Sequence, residues 1–448
     1  MDKKTAMEKY IREAHEKGVF TGTWLFAENG EAVSKGAIGY FDAANSRPMR
    51  EDAMFDIGSV SKQFTAAAIL LLRREGRLSL DDEIVKFFPS IPYKGVTVRH
   101  LLTHTGGLPD NFAFVRELAK KEGCIPDNGA VLRFFEEGGK APRFKPGEAW
   151  EYCNSGYALL ALLTEKLSGI SFADFLKKNV FKPAGMTSTG LCHRIKDRLN
   201  IENLTVGLTY EGGKWIPAEE STWKDLVVSL DGMEGAGFVK SNIFDLYAWD
   251  RALRYEKILT KEEQELMYTP AKLTNGEIGG GGYGLGLGIF DQECVGHFVW
   301  HDGEWPGYMS WFGHFLDTDR FIAVLCSRTG FDARAMGTFF NSMLMIALGH
   351  EPEPIMITEE LAEKNPDRSA WESFCGEYDG AEEGLMIKKV YLKDGDLFAS
   401  IYNVESGSMF ETKLYPFGGN TFGIKEDSDE IEFGEGVVSF GDEFKKIG

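Results

Sequence analysis

Ser59-Val60-Ser61-Lys62 sets two hydroxyls and an amine in front of an apolar run, Phe64 to Leu72, whose only polar residue is Thr65. A helix that is apolar on every side is a buried one. Gly58 or Ser59 suits the N-cap and Gly76 the residue past the C-terminus, so Ser59 falls at the positive end of the helix dipole. Lys62, one turn on, shares its face. A lysine at the edge of a dry core has its ammonium form disfavoured, and a neutral amine within reach of a hydroxyl is a general base for a serine nucleophile. A structural use also fits these residues, with Ser59 as a helix cap and Lys62 extended from the first turn to water.

The S-x-x-K spacing recurs at Ser221-Thr222-Trp223-Lys224, which has neither a buried helix behind it nor a glycine in front. Context selects Ser59. In "WEYCNSGYALLALL" the chain's only Y-x-N, Tyr152 to Asn154, precedes a second apolar helix. A tyrosine hydroxyl can relay a proton between a serine and a leaving group, and an asparagine amide can bond both a lysine and a substrate carbonyl. Packing by Tyr152 and helix capping by Asn154 are the plainer uses, with Cys153 between them inert. H-x-G occurs twice, as His104-Thr105-Gly106 in a loop and as His301-Asp302-Gly303 in a strand pattern. A loop histidine of this kind usually bonds backbone, whereas a strand edge can pair with a peptide-like substrate and its glycine lets the substrate approach. His301 and Gly303 share a strand face, and His301 is the choice.

In chain order these elements resemble the serine penicillin-binding protein and class C β-lactamase superfamily. The likeness extends to "FDIGSVSKQFTAA", "LSLDDEIVKFFP", "LLTHTGGLPD", "FKPGEAWEYCNSGYALL", "GMTSTG" and "EGAGFVKSNIFDL", over roughly residues 15–350. It implies an α/β chain with the β-lactamase-like transpeptidase fold: an antiparallel sheet flanked by helices plus an all-α region, the site between them, and no cofactor. It also implies Ser59 as acyl nucleophile, Lys62 as its base, Tyr152 as proton relay and Asn154 as positioner. His301, Gly303 and Glu304 then fall on the substrate side, with the backbone N–H groups of Ser59 and Glu304 as the oxyanion hole.

The third motif departs from β-lactamases, carrying His301 where they have a lysine that attracts the carboxylate of penicillins and D-Ala-D-Ala termini. "HDGEWPG" adds Asp302 and Glu304. H-x-G with a C-terminal barrel resembles the D-aminopeptidase and esterase branch, in which the barrel can shape the substrate pocket. The expectation is a serine hydrolase that cleaves amide or ester bonds of small peptide-like substrates through an acyl-enzyme, most like a D-aminopeptidase. An esterase or weak β-lactamase or DD-peptidase on the same residues is one alternative. A non-catalytic binder of peptides or cell-wall fragments is the other.

These residues must be positioned by elements far apart in the chain. "GTWLFAENGEAVSKGAIGYFD" alternates around Asn29-Gly30 as a β-hairpin, and "GGGGYGLGLGIF", "HFVWHDG" and "MSWFGHFLDTDRFIAVLCS" read as consecutive antiparallel strands. Between them, about 80–200 is a mainly helical insertion, and "TGFDARAMGTFFNSMLMIALGH" closes the hydrolase domain, residues 1–350, with a helix. The Pro- and Glu-rich stretch 351–368 is a linker, and the short strands with Gly and Asp turns over 369–448 form a small lipocalin-like antiparallel barrel.

The 448-residue chain is long enough for two or three domains, and its net charge of −20 without a basic block excludes nucleic acid and anionic membrane as partners. Cysteines 124, 153, 192, 294, 326 and 375 are scattered with no C-x-x-C pair, which argues for reduced thiols and against zinc. The charged amphipathic opening, "MDKKTAMEKYIREAHEKGVF", has no signal-peptide core, and the expected location is cytoplasmic, as a monomer or a homo-oligomer.

Overall fold

The computed structural model describes every residue except 197–200, 293–294, 381–383, 405–406 and 448. In chain order the elements that matter for the site are helix α1 (Lys3–Glu16), strands β1 (Gly22–Glu28) and β2 (Glu31–Ile38), helices α2 (Lys62–Arg74) and α3 (Asn154–Ser168), the short strand β3 (Val239–Ser241) and helix α4 (Ile243–Arg254). Strands β4 (Gly288–Gln292), β5 (Gly296–Trp305), β6 (Tyr308–Phe315) and β7 (Arg320–Cys326) follow, then helix α5 (Ala333–Leu348). The described chain divides into two compact units, Gly22–Gly207 with Val227–Ser327, and Met1–Thr21 with Leu208–Leu226 and Arg328–Gly448.

The first of these units is built on an antiparallel sheet of order β2-β1-β7-β6-β5-β4. The β1–β2 hairpin turns at Asn29 and Gly30, both at positive φ (55° and 81°), the backbone that the Asn-Gly pair supplies at least cost. Helix α4 is tied to β6 by the fully buried Asp250, which pairs with His314, Arg251 and Arg254. The two arginines offset the buried carboxylate, whose burial alone would be costly. Helix α2 is buried from Lys62 through Leu70. Phe64 meets Trp249 of α4 and Phe181 edge-on at 5.1 and 5.2 Å, and Thr65 donates to the Gly235 carbonyl at 2.7 Å.

Two local expectations are corrected. The α-helix begins at Lys62, not at Ser59: Gly58–Ser61 is a 3₁₀ turn, entered at Gly58 with φ 49°. The glycine run 279–282 is not a strand, because Gly280, Gly281 and Gly282 all take positive φ, and Gly279 and Gly280 lie against Trp150, where a Cβ on residue 280 would stand 2.3 Å from the indole. Without side chains at 279 and 280 the backbone passes close to the indole, and the strand itself starts at Gly288.

In the second unit, Phe339 of α5 stacks on Tyr10 of α1 and on Phe20. Nine short strands between Gly376 and Lys446 form a nearly closed antiparallel barrel. Its interior is filled by Trp371, Phe374, Ile387, Leu397, Phe422 and Phe433 among others, with Phe374 and Phe433 stacked at 4.5 Å. The barrel therefore has its own packed core. Cysteines 124, 153, 192, 326 and 375 are free thiols, and Cys294 lies outside the described residues. Among the described residues no helix is long and apolar enough to cross a membrane.

Candidate active site

The turn that carries Ser59 is held from three sides. Asp56 accepts from the Gly58 N–H (2.9 Å) and pairs with the buried Lys240 of β3 (2.9 Å). Val239 takes the Ile57 N–H at 3.0 Å, and Ser310 of β6 donates to the Ile57 carbonyl at 2.7 Å. Ser61 is committed to structure, its hydroxyl accepting from the Val239 N–H at 3.3 Å. Ser221 is likewise occupied, donating to the Ala218 carbonyl at 2.8 Å. Ser59 is half-buried and faces Lys62.

Lys62 has no exposed surface. Its Nζ donates to Ser59 Oγ (2.9 Å), Asn154 Oδ1 (2.8 Å) and the Ala236 carbonyl (2.7 Å), and lies 4.7 Å from the Tyr152 ring centre. Burial lowers its pKa to about 7 against the pull of Asp110 and Asp302, so the amine and ammonium forms coexist near neutrality. A neutral amine has two N–H bonds and one lone pair. With two fixed carbonyl acceptors at Asn154 and Ala236, the lone pair is left pointing at the Ser59 hydroxyl.

Tyr152 and Asn154 open helix α3. Burial drives the Tyr152 hydroxyl far above its ordinary range, opposed by its hydrogen bond with Ser59, so it is a neutral O–H donor beside the serine. The Asn154 amide nitrogen donates to Asp110 Oδ2 at 3.3 Å, turning its oxygen to Lys62.

Strand β5 alternates as expected: His301 and Gly303 are buried, Asp302 and Glu304 exposed. β4 pairs with Gly296–Trp300 of β5, and its register stops before His301. A Cβ on Gly303 would stand 2.1 Å from the Ile57 carbonyl, and one on Gly58 would stand 2.9 Å from the Glu304 nitrogen. Only glycine permits this approach, which sets the Ser59 turn against the Glu304 amide. His301 is fully engaged within the protein. Its Nδ1 bonds the Asp302 carbonyl, which assigns the proton to that nitrogen and leaves Nε2 to accept from the Tyr283 hydroxyl at 2.9 Å. Burial lowers its pKa to about 4, and the ring is neutral.

Ser59, Lys62, Tyr152, Asn154, His301, Gly303 and Glu304 thus come together in one place. The sequence reading did not assign three residues that share it. Asp110 bonds Asn154, and Tyr283 bonds His301. His104 does bond backbone, accepting from the Cys153 N–H at 3.1 Å, yet its buried ring also lies against Tyr152 with centroids 4.3 Å apart. The repeated H-x-G was its one sequence signal.

A serine paired with a buried lysine at the head of a central helix, set against an antiparallel sheet, defines the class of serine hydrolases with a β-lactamase-like fold. The Beta-lactamase family profile matches residues 7–340, and the chain belongs to that family. A penicillin-binding protein of Bacillus subtilis is 31% identical over 442 residues, covering 96% of this chain and 94% of its own. A D-aminopeptidase of Brucella anthropi is 28% identical over 354 residues, 77% of this chain and 62% of its own. Among solved structures, the octameric penicillin-binding protein homologue of Pyrococcus abyssi superposes with TM-score 0.66 at 24% identity over 100% of both chains. The D-amino acid amidase of Ochrobactrum anthropi does so with TM-score 0.62 at 23% identity over 78% of this chain and 98% of its own.

Proposed function

We infer that this serine hydrolase cleaves amides or esters of small amino-acid and peptide substrates through an acyl-enzyme on Ser59, with a D-aminopeptidase-like preference for a free α-amine. The observation that carries this is the 2.9 Å contact between Ser59 and a buried Lys62 whose pKa lies near 7. Lys62 takes the Ser59 proton as Oγ attacks the substrate carbonyl. The oxyanion is met by the N–H groups of Ser59 and Glu304. As the carbon–nitrogen or carbon–oxygen bond breaks, Tyr152 passes a proton to the leaving group and is reprotonated from Lys62. Water then attacks the acyl-enzyme by the same steps in reverse roles, returning the Ser59 hydroxyl.

Asn154 positions Lys62, and the 301–305 segment of β5, beyond the stretch that β4 pairs with, supplies backbone groups for a peptide-like substrate. A neutral His301 flanked by exposed Asp302 and Glu304 offers no counter-ion to a carboxylate, which favours the aminopeptidase reading over penicillin and D-Ala-D-Ala recognition. In this reading residues 1–350 are the hydrolase domain, 351–368 the linker and 369–448 the appended barrel. The protein works in the cytoplasm without a cofactor, and the octameric relative supports a homo-oligomer.

Incubation with a serine-reactive phosphonate, followed by intact-mass spectrometry and a tryptic map, tests the assignment. One adduct on Ser59 is expected, absent from Ser59→Ala. An adduct on Ser61 or Ser221, or one that survives in Ser59→Ala, overturns it.

A further inference from the structure

Helix α3 begins with no side-chain cap of its own, since Cys153 at the N-cap position offers none. Asp110, forty-four residues earlier, does that work. Its Oδ2 accepts from the Asn154 N–H (3.0 Å) and the Asn154 side-chain Nδ2 (3.3 Å). Its Oδ1 accepts from the N–H groups of Asn111 (2.9 Å) and Ser155 (3.3 Å) and from the Ser155 hydroxyl. The carboxylate is exposed on its outer side, so it is not a buried structural charge.

An asparagine amide can sit either way round, with its oxygen or its nitrogen towards a neighbour. Asp110 removes the choice, because a carboxylate only accepts and must be met by the NH₂ end. The oxygen of Asn154 is thereby turned to Lys62 Nζ, 2.8 Å away. That oxygen and the Ala236 carbonyl hold the two N–H bonds of neutral Lys62 and leave its lone pair for Ser59. Were the amide reversed, an N–H would face an N–H, and the lysine would lose the acceptor that aims it.

We propose that Asp110 is a positioning residue of this hydrolase, acting through the Asn154 amide to aim the Lys62 lone pair at Ser59. The proposal rests on the function inferred above, with Lys62 as the base. Asp110 also adds negative charge on the side of Lys62. The other titratable groups facing Lys62 are Asp302 of β5, the Cys153 thiol, Tyr152 and Tyr157, all three held neutral by burial, and His104 and His301, also neutral. Removing the Asp110 charge disfavours the ammonium, so the acid limb of activity moves to lower pH even as the rate falls.

The test is a double-mutant cycle on the intact chain with Asp110→Ala, Asp110→Asn, Asn154→Ala and the two Asn154→Ala doubles, read as kcat and KM from pH 5 to 9 alongside phosphonate labelling of Ser59. Misaiming of the base is expected to lower kcat by about 10²-fold in Asp110→Ala with KM little changed. In the Asn154→Ala background the same change is expected to cost no more than about twofold, because the group Asp110 acts through is gone. The isosteric Asp110→Asn is expected to stay folded and to show its acid limb at lower pH. Full additivity of the two losses, or an unmoved acid limb in a folded Asp110→Asn, overturns the proposal. If Ser59 fails to label in the unmutated protein, it is the inferred function that fails instead.

Discussion

Gly58 and Glu304 approach so closely that a Cβ on residue 58 would lie 2.9 Å from the Glu304 backbone nitrogen. The two residues are 246 positions apart, and their contact sets one of the two proposed oxyanion donors against the turn that carries the other. Gly58→Ala should therefore act on catalysis more than on folding. The alanine meets both an unfavourable φ of 49° and a backbone that cannot yield like a side chain. Displacing one oxyanion donor is expected to lower kcat by about 10²-fold. Steady-state kinetics beside a thermal melt checks this, the expected pattern being a large loss in kcat with a shift of only a few degrees in Tm.

For Lys62 the sign of the pH dependence follows from its proposed role as the base. The base must be neutral, its pKa is lowered to about 7, and so kcat/KM should rise with pH through about 7 and level off above it. A residue acting as a fixed cation would give the opposite trend. Arginine keeps the charge but does not deprotonate in proteins, so Lys62→Arg is expected to lose roughly 10²-fold or more in acylation rate. Stopped-flow labelling with an activated ester separates acylation from the later steps, and near-normal acylation in a folded Lys62→Arg would exclude the base role.

Much of this site can be read along the chain because its parts are local. An apolar run with one lysine at its head announces a buried helix, and Asn29-Gly30 announces a hairpin whether or not the rest of the fold is known. The alternation of His301, Asp302, Gly303 and Glu304 is a property of one strand. Asp110, His104 and Tyr283 are different: each is joined to the site only by tertiary packing, to Asn154, Tyr152 and His301 respectively. Apart from the H-x-G at His104, nothing in their own neighbourhoods assigns them a place in the site. The glycine run 279–282 misleads for the same reason, since its first two residues lie against Trp150, about 130 residues away. His301 could be placed on its strand from sequence, but not the fact that both its ring nitrogens are already bonded.

The barrel offers a test of domain autonomy. Its core is made from its own residues, Trp371 to Phe444, so a fragment spanning 365–447 is expected to fold alone and melt cooperatively. Helix α5, by contrast, depends on it: the Ala333 N–H donates to the Lys425 carbonyl at 2.7 Å, and Arg334 donates to the Ser428 carbonyl at 2.5 Å. Truncation at 364 should therefore remove these two contacts from the start of α5, leaving its Asp332 cap, and lower the Tm of the remaining chain by several degrees. Differential scanning calorimetry of both pieces decides it. A barrel fragment without a cooperative transition would remove its claim to be a domain.

Selectivity should follow the charge around β5. The Asp302 carboxylate is 64% exposed and Glu304 is exposed on the same strand face, opposite His301, so both act on a ligand through the local field more than by direct contact. That field disfavours an incoming carboxylate and favours an ammonium. At such exposed positions one charge is expected to change kcat/KM by about two- to fivefold, and the effect should shrink as salt rises from low to moderate ionic strength. Amino-acid amides and esters with a free α-amine should accordingly be turned over faster than N-acylated peptides ending in D-Ala-D-Ala, and faster than benzylpenicillin. Asp302→Asn with Glu304→Gln should narrow that gap by lowering the rate on the amines, leaving neutral esters almost unchanged because they carry no charge for the field to act on. Measuring kcat/KM for the three substrate classes at two salt concentrations separates field from fit. A preference for the carboxylate-terminated substrates would overturn the aminopeptidase reading while leaving the Ser59 and Lys62 chemistry in place.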